Sequence, residues 1–439
     1  MPFTVPRRLQ RLDPSGLRGW QRQVLLLFAF VLVAAPFVGY KALNDKQLSV
    51  YDEWQYADRV HAVSNGNVLM SDGELISRWG EFVLACRGIE RLSEPPPTPC
   101  TMPPEGQGTP NYAGSDPPAY FVATGLAAGA LHKTGIVDNA LNSGRLIGIL
   151  WAGLSMWCVW LLARTLGANR AASALAASTV VLVPGFLQQY SFITPHALDI
   201  PVGAFTALAA LKYLRREWPV WVLPIAALTI AGVKGSNIVV AVAIGITFAA
   251  VVVWPGVERR DRIRALIGGA VLTVSTMVFF VGHSAAIAAT RVAEYPPPGA
   301  FIKDELAWDY VILDSARFIT SWGEGPLAAP GAWLVMAMCG TAVVAWAGLV
   351  PDLTPYARQL APGYLLGAVI GAILLDVIVF VTSQQQFGVH LRYGLAVFPI
   401  GLAFAALLLR TRTAIGLAFV ALVLYAAMPA LFSLDSIVA

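Results

Sequence analysis

The chain has 439 residues, of which 57% are hydrophobic and only 13% are charged, and its mean hydropathy is +0.64. Soluble proteins carry about 25% charged residues, so this composition excludes a soluble globular enzyme. Apolar runs near 20 residues recur along the chain and predict an all-α polytopic membrane protein. The net charge of +4 carries little information, because the placement of Lys and Arg decides membrane topology. No nucleic-acid motif is present in the sequence.

The first apolar run follows a basic N-terminal segment. Five arginines lie within residues 1–23, which are longer and more polar than a typical signal-peptide n-region. The run Val24–Tyr40 has no convincing cleavage site, so we interpret it as an uncleaved signal anchor with its basic end in the cytoplasm. We therefore assign residues 1–23 to the cytoplasm. Residues 24–439 then form one membrane domain, with extracytoplasmic loops at 41–118 and 290–330.

Two adjacent carboxylates, Asp52 and Glu53, lie just beyond this first span. Acidic residues at such a depth are costly unless they have a function or a partner. One of them can act as a general base that deprotonates an acceptor hydroxyl, or the pair can hold a divalent cation. The alternative is a structural role, in helix capping or in an ion pair with Arg59 or Arg78.

The cysteines fall into two groups. Cys86 and Cys100 share the first polar loop and are predicted to form a disulfide if that loop is exported. Cys158 and Cys339 lie inside apolar runs and are predicted to be small core residues.

Eleven apolar runs are interpreted as membrane spans. The short run Phe121–Leu131 is not among them, because about eleven residues suit an interfacial or partly inserted helix better than a span. The predicted spans are Val24–Tyr40, Leu146–Leu166, Ala171–Phe186, Ile200–Leu214, Val220–Val233, Ile238–Trp254, Leu266–Ala289, Ala332–Val350, Gly363–Val381, Leu395–Leu409 and Ala414–Phe432.

The positive-inside rule supports this count. With eleven spans and a cytoplasmic N-terminus, most clustered Arg and Lys residues of the later chain lie in the cytoplasm. These basic groups are Arg164–Arg170, Lys212–Arg216, Arg259–Arg264, Arg358 and Arg410–Arg412. If Phe121–Leu131 crossed the membrane, the same groups would lie outside, so we expect that it does not cross.

Several polar residues are then expected at the outer face with Asp52 and Glu53. Lys234 occupies a tight glycine-flanked break between two spans, where it can bind a lipid phosphate or snorkel to the interface. Arg392 opens the tenth span beside His390 and Tyr393, and its planar fork suits a phosphate. Arg145 opens the second span in the same way. Interfacial anchoring is the alternative for these groups.

Two further stretches suggest contacts with a sugar or an acceptor. His196 and Asp199 lie in a polar break between the third and fourth spans, where capping and bending are the alternative. The second outer loop mixes aromatic rings with carboxylates, as carbohydrate sites do, and Trp322 belongs to it. Interfacial aromatic residues are the alternative for that loop.

The order of these motifs resembles that of the GT-C superfamily of glycosyltransferases, and within it an uncharacterised bacterial family of predicted membrane proteins. The resemblance covers about residues 50–400. Its motifs are Asp52-Glu53 after the first span, Pro117-Pro118-Ala119-Tyr120, Arg145-Leu146, Pro195 to Asp199, Lys234 between two spans, Ser321-Trp322-Gly323 and Arg392-Tyr393.

The resemblance implies a multi-pass enzyme of the bacterial plasma membrane that is active at the extracytoplasmic face. It would transfer a sugar, with inversion, from a polyprenyl-phosphate donor to the hydroxyl of a glycan or lipid-linked acceptor. Asp52 or Glu53 would be the base, and Lys234, Arg392 and Arg145 would hold the donor phosphate.

Substrate contacts are assigned by the same resemblance and by the polar stretches around it. They are Tyr120, His196, Asp199, Trp322, His390 and Tyr393. No cofactor is assigned, and a divalent cation is the one candidate. A transporter or flippase of a lipid-linked or anionic substrate is the main alternative function, and a non-catalytic scaffold for an envelope assembly is a third.

Overall fold

The computed structural model describes residues 19–50, 52–90, 108–292, 305–312, 328–350, 353–383, 386 and 391–431. Within these ranges the chain is helical, and its only β-structure is two isolated bridges, Leu48 with Ile89 and Leu75 with Pro110. The predicted all-α class is therefore confirmed.

Fifteen α-helices and four short 3₁₀ helices follow one another in the described ranges. The α-helices are α1 Gly19–Asn44, α2 Glu53–Ser64, α3 Arg78–Arg87, α4 Ala119–Lys133, α5 Ala140–Leu166, α6 Arg170–Leu182, α7 Pro184–Ser191, α8 Asp199–Leu214, α9 Val222–Val233, α10 Ile238–Val253, α11 Arg259–Thr290, α12 Ala328–Trp346, α13 Ala357–Ser383, α14 Phe398–Leu408 and α15 Arg412–Leu431. The 3₁₀ helices are Tyr112–Ser115, Pro195–Leu198, Gly235–Asn237 and Leu391–Gly394.

Six of the described helices are long and apolar enough to cross a membrane. A seventh candidate is the pair α6 and α7, which is bent by 64° at the break between them, and four further apolar helices have 10–17 residues. Each of the eleven predicted spans falls on one of these elements. The protein is thus a multi-pass helical membrane protein, and the number of crossings stays a prediction.

Helix α5 is the centre of the bundle. It packs against α1, α4, α6, α8 and α14. Small residues on its surface permit close approach, as is common between membrane helices. At Gly148, a Cβ atom would lie 1.8 Å from the backbone oxygen of Tyr190, so only a hydrogen atom fits there. The N-terminal half of α5 is thereby fixed beside the end of α7, just before the turn that leads into α8.

The first polar loop folds into a small helical cap on one end of this bundle. Helix α2 packs against α3 and α4, and α4 packs against α5. Helix α4 contains the predicted non-spanning run, and its 15 residues extend about 22 Å, which is less than the hydrocarbon thickness. The cap is joined to the end of α11, where Arg291 Nε lies 2.7 Å from a carboxylate oxygen of Asp72.

The cysteines of the described ranges agree with the expectations from sequence. Cys86, at the end of α3, is disulfide-bonded. Its predicted partner Cys100 lies outside the described residues. Cys158 and Cys339 are free thiols, the first buried and the second partly buried.

The opposite end of the bundle is basic. Arg215, after α8, donates hydrogen bonds to the backbone oxygen of Thr165 and to the hydroxyl of Thr354. The end of α5, the end of α8 and the segment before α13 therefore meet at its side chain. Arg216 pairs with Asp261 at 2.7 Å. The predicted cytoplasmic loops therefore gather away from the helical cap, which is the arrangement that the positive-inside interpretation requires.

Candidate active site

Glu53 is buried in an ion pair with Arg145, close to the N-terminus of α5. Nε and Nη2 of Arg145 donate to the two carboxylate oxygens of Glu53 at 2.7 and 2.8 Å, and both side chains are at most 1% exposed. Glu53 also accepts hydrogen bonds from the backbone N–H groups of Ser49 and Ile193. Arg145 donates further to two backbone carbonyls just after α1. The structure thus brings these two candidate residues together and favours a structural role for the pair.

Asp52 immediately precedes that pair but is much more accessible. Its side chain is 45% exposed, and its Oδ2 atom lies 3.3 Å from Nη2 of Arg392. Its backbone φ is +62°, in the left-handed region. A residue other than glycine adopts this region at a cost of about 1–2 kcal/mol, and such strain concentrates at functional sites. Of the two adjacent carboxylates, only Asp52 is available to a substrate.

Arg392 is held in the 3₁₀ helix that leads into α14. It is 9% exposed, and its Nη2 atom also donates to the phenol oxygen of Tyr393 at 3.2 Å. The segment after it is pressed against α8, because a Cβ atom on Gly203 would lie 1.6 Å from the backbone oxygen of Ala396. The backbone after Arg392 is therefore fixed against the bundle, while its Nη2 atom faces Asp52.

Lys234 lies between α9 and α10 and binds a carboxylate that the sequence did not single out. Its Nζ atom is 2.6 Å from both carboxylate oxygens of Asp116 and donates to the phenol oxygen of Tyr56 at 3.1 Å. Burial by itself would lower the pKa of Lys234, but Asp116, Tyr56 and Tyr393 together outweigh it and the pKa is raised. The ammonium group is consequently charged, and Asp116 is its counterion.

Asp116 is held in position by the helical cap. Arg59 of α2 donates to the backbone oxygens of Ala113 and Asp116, and its guanidinium carbon lies 4.1 Å from the centre of the Phe121 ring. His283, on α11, contacts the backbone oxygen of Ser115 at 3.1 Å. Both contacts fasten the 3₁₀ helix Tyr112–Ser115, and Asp116 follows it directly. These contacts explain why the carboxylate of Asp116 lies next to the ammonium group of Lys234.

These contacts join into what we call the polar cluster, made of Asp52, Tyr56, Asp116, Lys234 and Arg392. Tyr56 lies one helical turn after Asp52 and within electrostatic reach of the other four residues. Burial raises the pKa of its phenol, so that it stays protonated at neutral pH. The cluster unites two carboxylates and two cations from four separate parts of the chain at the capped end of the bundle.

His196 and Asp199 lie behind this cluster, in the bundle. Nδ1 of His196 is 2.6 Å from Oδ2 of Asp199, and both side chains are fully buried. The imidazole packs on the ring of Tyr393, with 5.4 Å between ring centres. Asp199 is within electrostatic reach of Lys234 and Arg392. The two residues therefore lie behind the polar cluster and are not accessible at the surface.

Of the remaining three candidates for substrate contacts, the structure describes only Tyr120. Tyr120 is 2% exposed, and its phenol oxygen accepts a hydrogen bond from the backbone of Thr194 at 3.0 Å. It thereby stabilises the turn that precedes His196. Trp322 and His390 lie outside the described residues.

Among the described residues, no group of three His, Cys, Asp or Glu side chains is arranged to hold a metal ion, and a divalent cation at this site stays a prediction.

Comparisons with known proteins give matches in structure only. No family model and no curated protein sequence matches the chain. The apo oligosaccharyltransferase of Archaeoglobus fulgidus is similar with a TM-score of 0.49 and 12% identity, over 95% of this chain and 56% of that chain. ArnT of Cupriavidus metallidurans is similar in its apo state, with a TM-score of 0.46 and 15% identity over 90% of this chain and 61% of ArnT.

ArnT bound to undecaprenyl phosphate is similar to the same degree. Its TM-score is 0.46 at 16% identity, over 95% of this chain and 65% of that chain. The chain thus spans between 56% and 65% of the length of these solved structures.

Asp116 and Tyr56 are the members of the polar cluster that sequence reasoning did not identify. Asp116 lies in a Gly-Ser-Asp-Pro-Pro stretch that reads as irregular loop, and Tyr56 lies in a helix whose other face is apolar. The sequence contains one feature that points to Asp116, the two prolines that follow it. A carboxylate directly before two prolines and the first turn of a helix has a restricted backbone, so its side chain is aimed in a fixed direction.

Proposed function

We propose that this protein is a membrane glycosyltransferase of the GT-C type that transfers a sugar from a polyprenyl-phosphate donor to an acceptor hydroxyl. The observation that carries the proposal is the contact between accessible Asp52 and anchored Arg392, with Lys234 in the same polar cluster. A carboxylate beside two cations is the arrangement that base-assisted transfer from a phosphate ester requires. The resemblance in motif order supports the same reaction.

In this mechanism Asp52 is the general base. It removes the proton from the acceptor hydroxyl, and the acceptor oxygen attacks the anomeric carbon of the sugar. The bond between that carbon and the phosphate oxygen breaks, and the configuration is inverted. The electron pair of the broken bond stays on the lipid phosphate, whose negative charge increases.

Arg392 is the main phosphate ligand. Its Nη2 atom contacts Asp52, and the planar guanidinium group matches the oxygen atoms of a phosphate. The bound phosphate then satisfies Arg392 and releases Asp52 for proton transfer. Lys234 contributes a second positive charge from the other side of the cluster, which stabilises the leaving group. Glu53 and Arg145 hold the backbone of Asp52 through their buried pair.

The two ends of the bundle support a location for the reaction. The basic clusters of the predicted cytoplasmic loops gather at one end, and the polar cluster lies at the other. We therefore propose that the N-terminus is cytoplasmic, that the reaction takes place at the extracytoplasmic face of a bacterial plasma membrane, and that a glycan or lipid-linked acceptor enters from that side.

The test is sugar transfer by purified protein from a panel of radiolabelled polyprenyl-phosphate sugars. Wild-type protein is expected to transfer from at least one donor and to release polyprenyl phosphate. Asp52→Asn is expected to lower kcat by about 10²–10⁴-fold, the usual contribution of a general base. The matched control is Asp72→Asn, which removes one carboxylate charge from the same cap but outside the cluster. Full activity of Asp52→Asn would exclude Asp52 as the base.

A flippase or transporter is the second candidate, and the bent pair of α6 and α7 favours it. Broken spans with polar surroundings are typical of substrate sites in transporters. The same purified protein, reconstituted in vesicles, separates the two functions. Movement of a fluorescent polyprenyl-phosphate lipid between leaflets, together with no sugar transfer from any donor, would support transport and contradict the enzyme.

A further inference from the structure

The ammonium group of Lys234 has no hydrogen-bond donor left for a substrate. It carries three N–H groups, two of which are directed to the carboxylate oxygens of Asp116 and one to the phenol of Tyr56. The two charged side chains are only 13% and 17% exposed. A phosphate that binds Lys234 must therefore replace one of these two partners, and Asp116 occupies two of the three N–H groups at the shorter distance of 2.6 Å.

We propose that Asp116 is an internal competitor for Lys234 that weakens the hold on the phosphate product and so promotes its release. This inference rests on the proposed function of the same site. It assigns a role to a residue that is neither the base nor a phosphate ligand, since Asp116 acts on the product through Lys234.

The charges of donor and product explain why such a competitor is useful. The sugar donor is a phosphodiester with a single negative charge, whereas the released lipid phosphate is a monoester with about −1.5 to −2 charges at pH 7. The carboxylate of Asp116 competes well with a monoanion and poorly with a dianion. Lys234 therefore shifts from Asp116 to the phosphate as the bond to the sugar breaks, and an interaction gained only then accelerates the reaction.

The same dianion would bind too tightly after the reaction if nothing opposed it. Two cations would hold it, and in a buried site each contact is stronger than in water. Asp116 stays close because its backbone oxygen is bound by Arg59 and because Pro117 restricts the chain after it. It therefore returns to Lys234 readily, and the lipid phosphate is left with Arg392 alone.

The experiment measures binding of farnesyl phosphate, the product-like monoester, to purified protein by calorimetry, with uncharged farnesol as the ligand control. Asp116→Asn is expected to tighten farnesyl phosphate binding by about tenfold or more and to leave farnesol binding unchanged. Asp116→Glu keeps the charge and is expected to bind as wild type does. Asp72→Asn, the matched charge removal outside the cluster, is expected to have no effect.

Two further variants test whether the effect passes through Lys234. Asp116→Ser removes the carboxylate in a second way and is expected to tighten binding as Asp116→Asn does. In the double variant with Lys234→Gln, the gain from Asp116→Asn is expected to disappear. In turnover assays, Asp116→Asn is expected to be inhibited by farnesyl phosphate at about tenfold lower concentration than wild type.

The outcomes distinguish this inference from the proposed function. If wild-type protein binds farnesyl phosphate and Arg392→Gln abolishes that binding, but Asp116→Asn and Asp116→Ser bind it no more tightly, then the competitor role is overturned and the phosphate site remains. If wild-type protein binds no farnesyl phosphate at all, both proposals fail.

Discussion

Arg145 and Glu53, 92 positions apart in the chain, form a buried pair with two parallel hydrogen bonds of 2.7 and 2.8 Å. The pair connects the central helix α5 to the first residue of α2, and it satisfies both oxygens of a carboxylate that would otherwise be unpaired in an apolar environment. Because Asp52 directly precedes Glu53, the same pair fixes the position of the proposed base.

Replacement of either Arg145 or Glu53 alone is expected to destabilise the protein strongly. Removal of one partner of a buried pair leaves an uncompensated charge and costs about 3–5 kcal/mol. Arg145→Met and Glu53→Gln should therefore each lower the thermal unfolding temperature in detergent. The double variant Glu53→Gln/Arg145→Met should lose less than the sum of the two.

The same variants separate a structural role of Glu53 from a catalytic one. If Glu53 only holds the backbone, activity of Glu53→Gln falls with the fraction of folded protein. A Glu53→Gln variant with wild-type stability and no transfer would show instead that Glu53 takes part in the chemistry.

Arg392 is expected to be sensitive even to a conservative change. Arg392→Lys keeps one positive charge but loses the planar guanidinium group, whose Nη2 atom contacts both Asp52 and Tyr393. We expect a rise in the KM for the donor of about tenfold or more, and a larger loss for Arg392→Gln. Steady-state kinetics over a range of donor concentrations checks this. Equal kinetics of Arg392→Lys and wild type would contradict the role of the fork.

The sequence predicted the helices and three members of the polar cluster, for reasons that are local. Apolar runs and their basic flanks are visible in any short window of the chain. Asp52, Lys234 and Arg392 each stand at the end of a span, and topology brings such ends to one face. The structure confirms the helical membrane fold and brings these three residues together.

The remaining features depend on contacts between distant segments. Arg145 was interpreted as a phosphate ligand because it opens a span, yet its partner is the buried Glu53. Asp116 faces Lys234 because Arg59, 57 positions earlier in the chain, binds its backbone oxygen and His283 contacts the residue before it. Neither contact has a periodic signal in the sequence, so neither could be read from hydropathy or spacing.

His61 is expected to make the stability of the cap sensitive to acid. Its ring stacks on Trp79 with 4.1 Å between centres. Burial lowers its pKa below the ordinary value of 6.5, although Asp58 acts in the opposite direction. The unfolded chain therefore binds the proton more readily, and stability is lost as the pH falls below about 6.5 toward the lower pKa of the folded state.

The measurement compares unfolding temperatures between pH 7.5 and 5.5 for wild type and His61→Phe. Phenylalanine retains a ring that stacks on Trp79 but has no titrating group, so the fall in this window is expected to be smaller. An equal fall in both proteins would mean that other groups cause the acid sensitivity.

Gly203 links the packing of the bundle to the position of Arg392. A Cβ atom there would lie 1.6 Å from the backbone oxygen of Ala396, and backbone cannot move aside as a flexible side chain can. Gly203→Ala is therefore expected to displace the segment that follows Arg392, to destabilise the fold by about 1–3 kcal/mol and to raise the KM for the donor. Gly245→Ala is the matched control, since a Cβ atom there meets nothing within 4 Å. If Gly203→Ala is destabilised but keeps the donor KM of wild type, the contact between Gly203 and Ala396 only stabilises the packing of the bundle. Arg392 is then positioned by its other neighbours.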